Sequence, residues 1–379
     1  MSLTLTDDQQ MFRDAARRFA SERAPVAQLR KLRDDGDATG FDRGVWKEMA
    51  ELGWAGVVIP EEYGGVAFGL VGAGLIAEEI GRNLSATPFL STAVLAACAL
   101  SKGGTSAQKQ AVLPGIAAGE LIAALAIDER TRHAPHYVAT RAVTSAGKYK
   151  LSGKKLHVLD GHVADRLVVS ARTSGDTDSR DGITLFLIDS EAPGVSVSRA
   201  HNVDSRNSAC VELHDVIATA DDIVGVADKG AVVLDDTLDA GRAVLAAELL
   251  GVAQSSFDRT LTYLREREQF GMKIGSFQGL QHRAAHLFCE IELLRSTVLR
   301  TLQALDAHDP AGQTLTCLAK AKAGQVAQLA TNEAVQMHGG IGMTDEFDIG
   351  FFIKRARVAG ETLGDANYHT DRFAQLAGY

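Results

Sequence analysis

Hydrophobic positions in the first third of the chain recur with the 3.6-residue period of amphipathic helices. Thr6 precedes the first such stretch, and with Gln9 three residues later it predicts a capping box. Alanine and leucine, which favour helices, dominate the region. The pattern predicts helices over 10–22, 42–52, 69–82, 91–100 and 106–118.

At residue 121 the period changes to that of β-strands. Short apolar or alternating runs recur at intervals of roughly 8 to 15 residues, with Gly, Asp and Ser between them, which predicts a small β-barrel or sandwich. The runs are 121–127, 137–143, 148–153, 156–159, 166–171, 182–188 and 210–214.

From residue 231 onward the helical period returns, and Asp309-Pro310 marks a break within it. The predicted helices are 235–264, 278–306, 315–337 and 348–363. We therefore predict an α+β fold in three domains: an N-terminal helical domain (1–120), a central β-domain (121–225) and a C-terminal four-helix bundle (226–379).

Composition narrows the class of protein without identifying it. The chain has 39 basic and 48 acidic residues with no basic block, so nucleic acid is not an expected partner. Its apolar runs are shorter than the ~20 residues of a membrane span, and its start lacks a signal peptide. Four scattered cysteines indicate neither a disulfide framework nor a metal site. These features predict a cytoplasmic protein.

The junction between the first two bundle helices holds the first candidate site. Gly271 and Gly275 permit a tight reversal there, and Arg267 with Gln278 brings hydrogen-bond donors to it. An arginine at such a turn suits a phosphate or carboxylate, although it is more often an ion-paired surface residue.

Three motifs then carry a resemblance to the acyl-CoA dehydrogenase family of flavoproteins. They are Arg-Glu-Gln-Phe-Gly at 267–271, Phe-Gln-x-x-Gln-His at 277–282 and Gln-Met-His-Gly-Gly-Ile-Gly-Met at 336–343. The resemblance covers essentially the full length. It implies FAD as cofactor, with the arginine motif reaching the pyrophosphate of a neighbouring subunit's FAD and the glycine-rich motif lying along the adenosine end. The implied contacts are Arg267, Gln269, Phe270, Gln278, Gln336, Gly339 and Gly340.

The resemblance implies removal of a proton at Cα of an acyl-CoA thioester and hydride transfer from the β carbon to flavin N5. In the segment that contacts the flavin ring, only Glu129 of the family pattern is kept. His157 and Leu159 replace the usual Trp and Thr of a second ring contact. His157 is equally well interpreted as a half-buried strand histidine.

Both usual positions of the catalytic glutamate lack a carboxylate in this chain. They are Leu363, in the loop near the C-terminus, and Gly241, immediately before Arg242. Arg242 agrees with the family and is expected to face the substrate. Asp365 is the candidate base, and a helix-capping or turn role is the alternative that its position favours.

Two functions follow from the resemblance. The first is FAD-dependent α,β-dehydrogenation of an acyl-CoA in fatty-acid, steroid or ring-acid catabolism, with electron-transfer flavoprotein or a similar acceptor and a homotetramer. The second is a catalytically silent subunit of a mixed tetramer, which completes the flavin site of a glutamate-bearing homologue. An oxidase or monooxygenase on the same fold is a third option that no residue favours.

Overall fold

The computed structural model describes residues 3–379, and its first part is helical as predicted. Thr6 and Gln9 form the expected capping box, with bonds of 3.1 and 3.2 Å between each side chain and the other residue's amide. α2 was not predicted, because only Val26 and Leu29 of its nine residues are buried and the apolar stripe is short. The helices are α1 (Asp7–Arg23), α2 (Val26–Asp34), α3 (Arg43–Glu51), α4 (Gly69–Asn83), a π-helix (Phe89–Ala96) continued by α5 (Ala97–Gly103), and α6 (Ser106–Ala117).

The central part forms a mixed, mostly antiparallel sheet in the order β6-β7-β3-β2-β4-β5-β8, with β1 parallel to β4. The runs 148–153 and 156–159 make one strand with irregular pairing to β7. β6 was not predicted, because none of its residues is fully buried and they alternate between half-buried and exposed positions. The strands are β1 (Ala123–Ala126), β2 (Arg141–Ser145), β3 (Lys148–Leu159), β4 (Arg166–Arg172), β5 (Ile183–Asp189), β6 (Val195–His201), β7 (Asn207–Ala218) and β8 (Ile223–Val224).

The last part returns to helix and confirms the predicted order of helices, sheet and helices. α11 was missed, because His369 is its one fully buried residue. The elements are α7 (Gly230–Glu266), β9 (Glu268–Gln269), β10 (Met272–Lys273), α8 (Gln278–Asp306), α9 (Gly312–His338), a 3₁₀ turn (Gly339–Met343), α10 (Ile349–Glu361) and α11 (Ala366–Leu376).

The chain divides into two compact units, and each has its own core. The helical unit contains the chain up to Asp35, Leu70–Ala86 and Arg242–Tyr379; the sheet unit contains Gly36–Gly69 and Thr87–Gly241. The three-domain boundaries at residues 120 and 225 stay a prediction.

Close backbone packing orders the core of the helical unit. A Cβ added to Gly81 on α4 would overlap the carbonyl of Glu248 on α7, and one added to Gly251 would overlap the carbonyl of Glu78. Glycine is therefore required at both positions of this helix crossing. α7 is held there as the rigid base from which the arginine motif projects.

Candidate functional site

A short hairpin presents the arginine motif at the end of α7. β9 and β10 pair Gln269 with Met272, and the two turn residues Phe270 (φ 56°) and Gly271 (φ 76°) are left-handed. Positive φ at both turn positions matches the twist of a hairpin, but it is uncommon for a phenylalanine. Phe270 is 89% exposed, and its ring packs edge-on against Phe277, with 6.2 Å between the centroids, so the turn buries little of this side chain.

The polar side chains of the hairpin are uncovered as well. Arg267, Gln269 and Gln278 are all exposed, and the last is the first residue of α8. A guanidinium, two amides and an aromatic ring therefore share one open surface. Such a set suits a ligand that carries both an anionic group and an apolar or aromatic part.

The glycine-rich motif forms an equally open turn. Gln336 is exposed near the end of α9, and the 3₁₀ turn follows from Gly339 (φ 64°). A Cβ added to Gly339 or Gly340 would meet no atom within 4 Å, and Met343 is 79% exposed. The backbone of this turn is accessible to a ligand at close range.

One aromatic stack brings the two motifs together. The ring of Tyr263, in the last turns of α7, lies 4.4 Å from the ring of His338 at an interplanar angle of 25°. The amide of Arg267 donates to the carbonyl of Tyr263 at 2.9 Å. His338 is 3% exposed, and its Nε2 has no hydrogen-bond partner among residues 3–379. The last turns of α7, from which the arginine motif continues, therefore contact the end of α9, from which the glycine-rich turn continues.

The loop between α10 and α11 contains the position that the resemblance assigns to the catalytic base. Leu363 is left-handed (φ 58°) and 7% exposed. Its carbonyl accepts from Arg242 Nε at 3.1 Å and lies 3.1 Å from His369 Nε2. Gly364 has a φ of 105°, and an added Cβ would lie 2.5 Å from the ring of Tyr368. The buried side chains of Arg242 and His369 therefore hold the backbone of this loop at Leu363.

A buried lysine that the sequence did not reveal holds the same loop. Lys320 on α9 is 1% exposed and donates to the carbonyls of Gly360 and Gly364, each at 2.9 Å. Burial lowers the pKa of Lys320 to about 7, and the nearby Arg242 guanidinium acts in the same direction.

The carboxylates of this region are engaged in structural contacts. Asp365 is the N-cap of α11 and accepts from the amide of Tyr368 at 2.7 Å. Glu361 pairs with Arg357 at 3.1 Å, and Glu248 pairs with Arg355 at 2.8 Å. The capping alternative for Asp365 is thus what the structure contains, and its role as base stays a prediction.

In the sheet unit, Glu129 is the partner of a buried lysine. Its carboxylate accepts from Lys155 Nζ at 2.7 Å and from the amides of Ala139 and Thr140. Burial raises the pKa of Glu129, but Lys155 and these donors outweigh it and hold the pKa below its usual value. The structure therefore gives Glu129 an anchoring role, and a flavin contact by this residue remains untested.

The other two predicted ring contacts lie at the end of β3. His157 is exposed and left-handed (φ 53°), at an irregularity in the pairing of β3 with β7. It is therefore not the half-buried strand histidine of the alternative interpretation. Leu159 is half-buried and pairs with Ser208. Both remain candidate contacts.

Comparison with known proteins decides the family. Profiles of the N-terminal, middle and C-terminal domains of acyl-CoA dehydrogenases match residues 6–120, 128–216 and 228–377. A probable acyl-CoA dehydrogenase of Bacillus subtilis, YngJ, is 31% identical over 366 residues, which cover 94% of each chain. The chain belongs to the acyl-CoA dehydrogenase family.

Solved structures of this family have the same fold. A variant of the Tcur3481-Tcur3483 steroid ACAD is 31% identical, with a TM-score of 0.88 over 99% of this chain and 98% of that one. The ChsE4-ChsE5 complex of Mycobacterium tuberculosis is 26% identical, with a TM-score of 0.89 over the whole of both chains. The predicted α+β fold class is confirmed.

As an acyl-CoA dehydrogenase, the protein is an FAD-dependent oxidoreductase acting on acyl-CoA. The bundle surface of Arg267, Phe270 and the open Gly339–Gly340 turn fits FAD, because it offers a cation for the pyrophosphate and exposed apolar groups for the adenosine. No helix among residues 3–379 has the length and apolar content needed to cross a membrane.

The functional residues that sequence reasoning missed are two lysines. Lys155 and Lys320 are 0% and 1% exposed, although lysine is usually a surface residue. A signal existed for Lys320, because Thr316, Ala319 and Ala323 at helical spacing are also buried.

Proposed function

We propose that the chain serves α,β-dehydrogenation of an acyl-CoA thioester as one subunit of a mixed tetramer. Its exposed arginine and glycine-rich motifs complete the FAD site of a homologous subunit, which carries the catalytic glutamate. The observation that carries the proposal is the α10–α11 loop, where buried Leu363 stands at the position that the resemblance assigns to the base. FAD, when bound, accepts the hydride that leaves the β carbon.

The reaction requires a carboxylate within hydrogen-bond reach of the proton at Cα. Leu363 has no group that accepts a proton, and its carbonyl is already bonded by Arg242. The two carboxylates of the loop are occupied, Glu361 by Arg357 and Asp365 by the first turn of α11. On this argument the chain supplies no base of its own.

The flavin surface of the bundle supports the partner role. Met343 and the side chain of Arg267 are exposed, and Phe270 is 89% exposed although its ring packs edge-on against Phe277, with 6.2 Å between the centroids. A left-handed Phe270 costs free energy that a contact with a ligand or partner offsets. An arginine that reaches a neighbour's cofactor requires an oligomer, and a tetramer is the assembly we propose.

The relatives support a bulky acyl group. One is named as a steroid ACAD and is 31% identical, and another is a complex of two named components. We therefore favour a steroid or ring-acid thioester over a straight-chain one. The electrons pass to electron-transfer flavoprotein or a similar acceptor, in the cytoplasm.

The test is anaerobic reduction of the flavin. The chain is produced alone and together with a homologue that carries the glutamate, sought first among the neighbouring genes, and straight-chain, branched and ring acyl-CoA compounds are added. The proposal predicts that flavin absorbance bleaches only in the mixed assembly and most rapidly with a ring substrate. Bleaching of the chain produced alone would contradict it.

A second candidate is a self-sufficient dehydrogenase that uses Asp365 as base. The observation in its favour is that the amide of Tyr368 occupies only one carboxylate oxygen, Oδ1. A shift of the loop would be needed to present the other oxygen to substrate. Loss of bleaching in the Asp365→Asn variant produced alone would support this candidate.

A further inference from the structure

The segment that follows the glycine-rich turn is tied to two distant helices by arginine side chains. Arg30 and Arg33 on α2, and Arg259 on α7, reach the carboxylates of Asp345 and Asp348. These five residues, the arginine clamp, all lie in the helical unit.

The geometry of the clamp is that of strong ion pairs. Arg33 binds Asp345 with two parallel bonds, Nη1 to Oδ1 at 2.7 Å and Nη2 to Oδ2 at 2.8 Å. Arg30 Nη1 donates to the Asp345 carbonyl at 2.7 Å and to its Oδ2 at 3.0 Å. Two-bond arginine–carboxylate pairs fix orientation as well as distance.

The second carboxylate extends the network. Arg30 Nη2 donates to Asp348 Oδ1 at 3.1 Å, and Arg259 Nη1 donates to Asp348 Oδ2 at 3.0 Å. Arg30 and Arg33 also lie over the ring of Phe351, at 4.7 and 4.8 Å from its centroid. Because each arginine makes several contacts, the network restrains the segment more than an isolated surface pair does.

The clamp lies at one end of the open turn, and the aromatic stack lies at the other. His338, immediately before the turn, is fixed against Tyr263 and Phe347, with ring centroids 4.4 and 5.1 Å away. Asp345 follows Met343 by two residues. The turn Gly339–Met343 is thus restrained at both ends; between them Gly342 is buried against Val335 and His338 of α9, while Gly339, Gly340 and Met343 are exposed.

We propose that Arg30, Arg33 and Asp345 are positioning residues, which hold the Gly339–Met343 turn in the conformation that receives FAD. This inference rests on the proposed function, because it assigns the turn to FAD. Ordering the turn before binding lowers the entropy cost of the contact, so the clamp raises cofactor affinity without touching the cofactor. The hydrogen bond from Arg33 lowers the pKa of Asp345 to about 2, so the pair is charged at neutral pH.

The experiment measures two quantities in Arg33→Asp, Asp345→Arg and the double swap Arg33→Asp/Asp345→Arg. One is amide hydrogen exchange of residues 339–343 in the flavin-free chain; the other is FAD affinity of the mixed assembly. The control is Arg300→Asp, which breaks the Arg300–Asp309 pair, also 2.7 Å long, whose side chains are 34% and 27% exposed against 26% and 62% for Arg33 and Asp345. Asp345→Asn is the milder variant if a charge reversal prevents folding.

We expect each single reversal to speed exchange of the turn by about tenfold and to weaken FAD binding several-fold. The double swap should recover part of both losses, because it restores the pair between positions 33 and 345 but leaves Arg30 beside the new arginine. The control should change neither quantity. Unchanged exchange in the single variants, or faster exchange with unchanged FAD affinity, would overturn the inference. The exchange measurement needs neither FAD nor a partner, so a failure of the proposed function to yield a mixed assembly is distinguished from a failure of the clamp.

Discussion

Two regions of the helical unit differ in how their side chains are used. The flavin surface, with Arg267, Phe270 and Met343, is exposed and makes few contacts within the chain. The α10–α11 loop, with Leu363, is buried and is bonded by Arg242 and His369. The first region is open to a ligand or partner, as the proposed function requires, whereas the second is held by hydrogen bonds within the chain. In this chain, the motifs assigned to FAD are exposed, while the loop assigned to the catalytic base has become part of the packed structure.

The sheet unit extends the comparison. Glu129, the one residue of the family's ring-contact segment that is kept, is turned to the buried Lys155. Burial lowers the pKa of Lys155, and Glu129 opposes this effect. The Glu129 carboxylate is therefore needed to compensate the buried charge of Lys155, and this structural need is sufficient to explain a glutamate at position 129.

The largest expected effect tests Glu129 as an anchor. Glu129→Gln should lower the free energy of unfolding by about 3 kcal/mol, because it leaves Lys155 buried without a carboxylate. Chemical denaturation measures this change. The control is Glu212→Gln, which breaks the neighbouring but exposed Lys154–Glu212 pair and should cost less than about 0.5 kcal/mol. Lower flavin content with unchanged stability would instead identify Glu129 as a cofactor contact.

The next effect tests the exposed region. Arg267→Ala should weaken FAD binding to the mixed assembly by roughly 10- to 100-fold, because a charged hydrogen bond to the pyrophosphate is lost. Flavin fluorescence on dilution measures the affinity. Arg265→Ala, which removes an exposed arginine two residues earlier, is the control and should have little effect. Equal FAD affinity in the wild type and in Arg267→Ala would show that the exposed arginine motif does not bind FAD.

A pH dependence tests the locked loop. The pKa of Lys320 is about 7 in the folded chain, whereas the ordinary value is 10.5. Between these values the unfolded chain binds more protons, so stability rises with pH, by up to about 1.4 kcal/mol per pH unit. The rise should begin near pH 7 and should disappear in Lys320→Met.

The control for this pH dependence is Lys322→Met, two residues along α9, where the lysine is partly exposed and pairs with Glu290. Its unfolding profile between pH 7 and 10 should run parallel to that of the wild type. If the unfolding profile of Lys320→Met were also parallel to that of the wild type, Lys320 would not be the buried lysine that holds the loop.

The smallest effect separates the two roles of Asp365. Asn caps helices about as well as Asp, so Asp365→Asn should leave both the stability and the turnover of the mixed assembly unchanged. Asp365→Ala removes the cap and should lower the free energy of unfolding by about 1 kcal/mol. Thermal unfolding and flavin bleaching measure the two quantities. A fall in bleaching rate of about 100-fold or more in Asp365→Asn would make it a base.

The sequence predicted the long elements, and its arginine and glycine-rich motifs led to the family; the FAD contacts assigned to them stay a prediction. The helices α8 and α10 have apolar stripes that periodicity detects, whereas α7 is a long run that is buried on every side over 237–253. The arginine and glycine-rich motifs are local in sequence. α11 and β6 were not predicted, because α11 has one fully buried residue and β6 has none, so neither shows a periodic apolar pattern. The interactions of the buried Lys320 and Lys155 were not predicted, because the partner of each lysine lies far along the chain and local residue spacing gives no sign of it.

The most direct test of the central claim is the number of FAD molecules per chain. The account predicts about one FAD per two chains in the mixed assembly, since each flavin site is completed by an arginine from this chain. It also predicts that the chain produced alone binds little FAD. A homotetramer of this chain that carries one FAD per subunit and bleaches with an acyl-CoA would contradict the account.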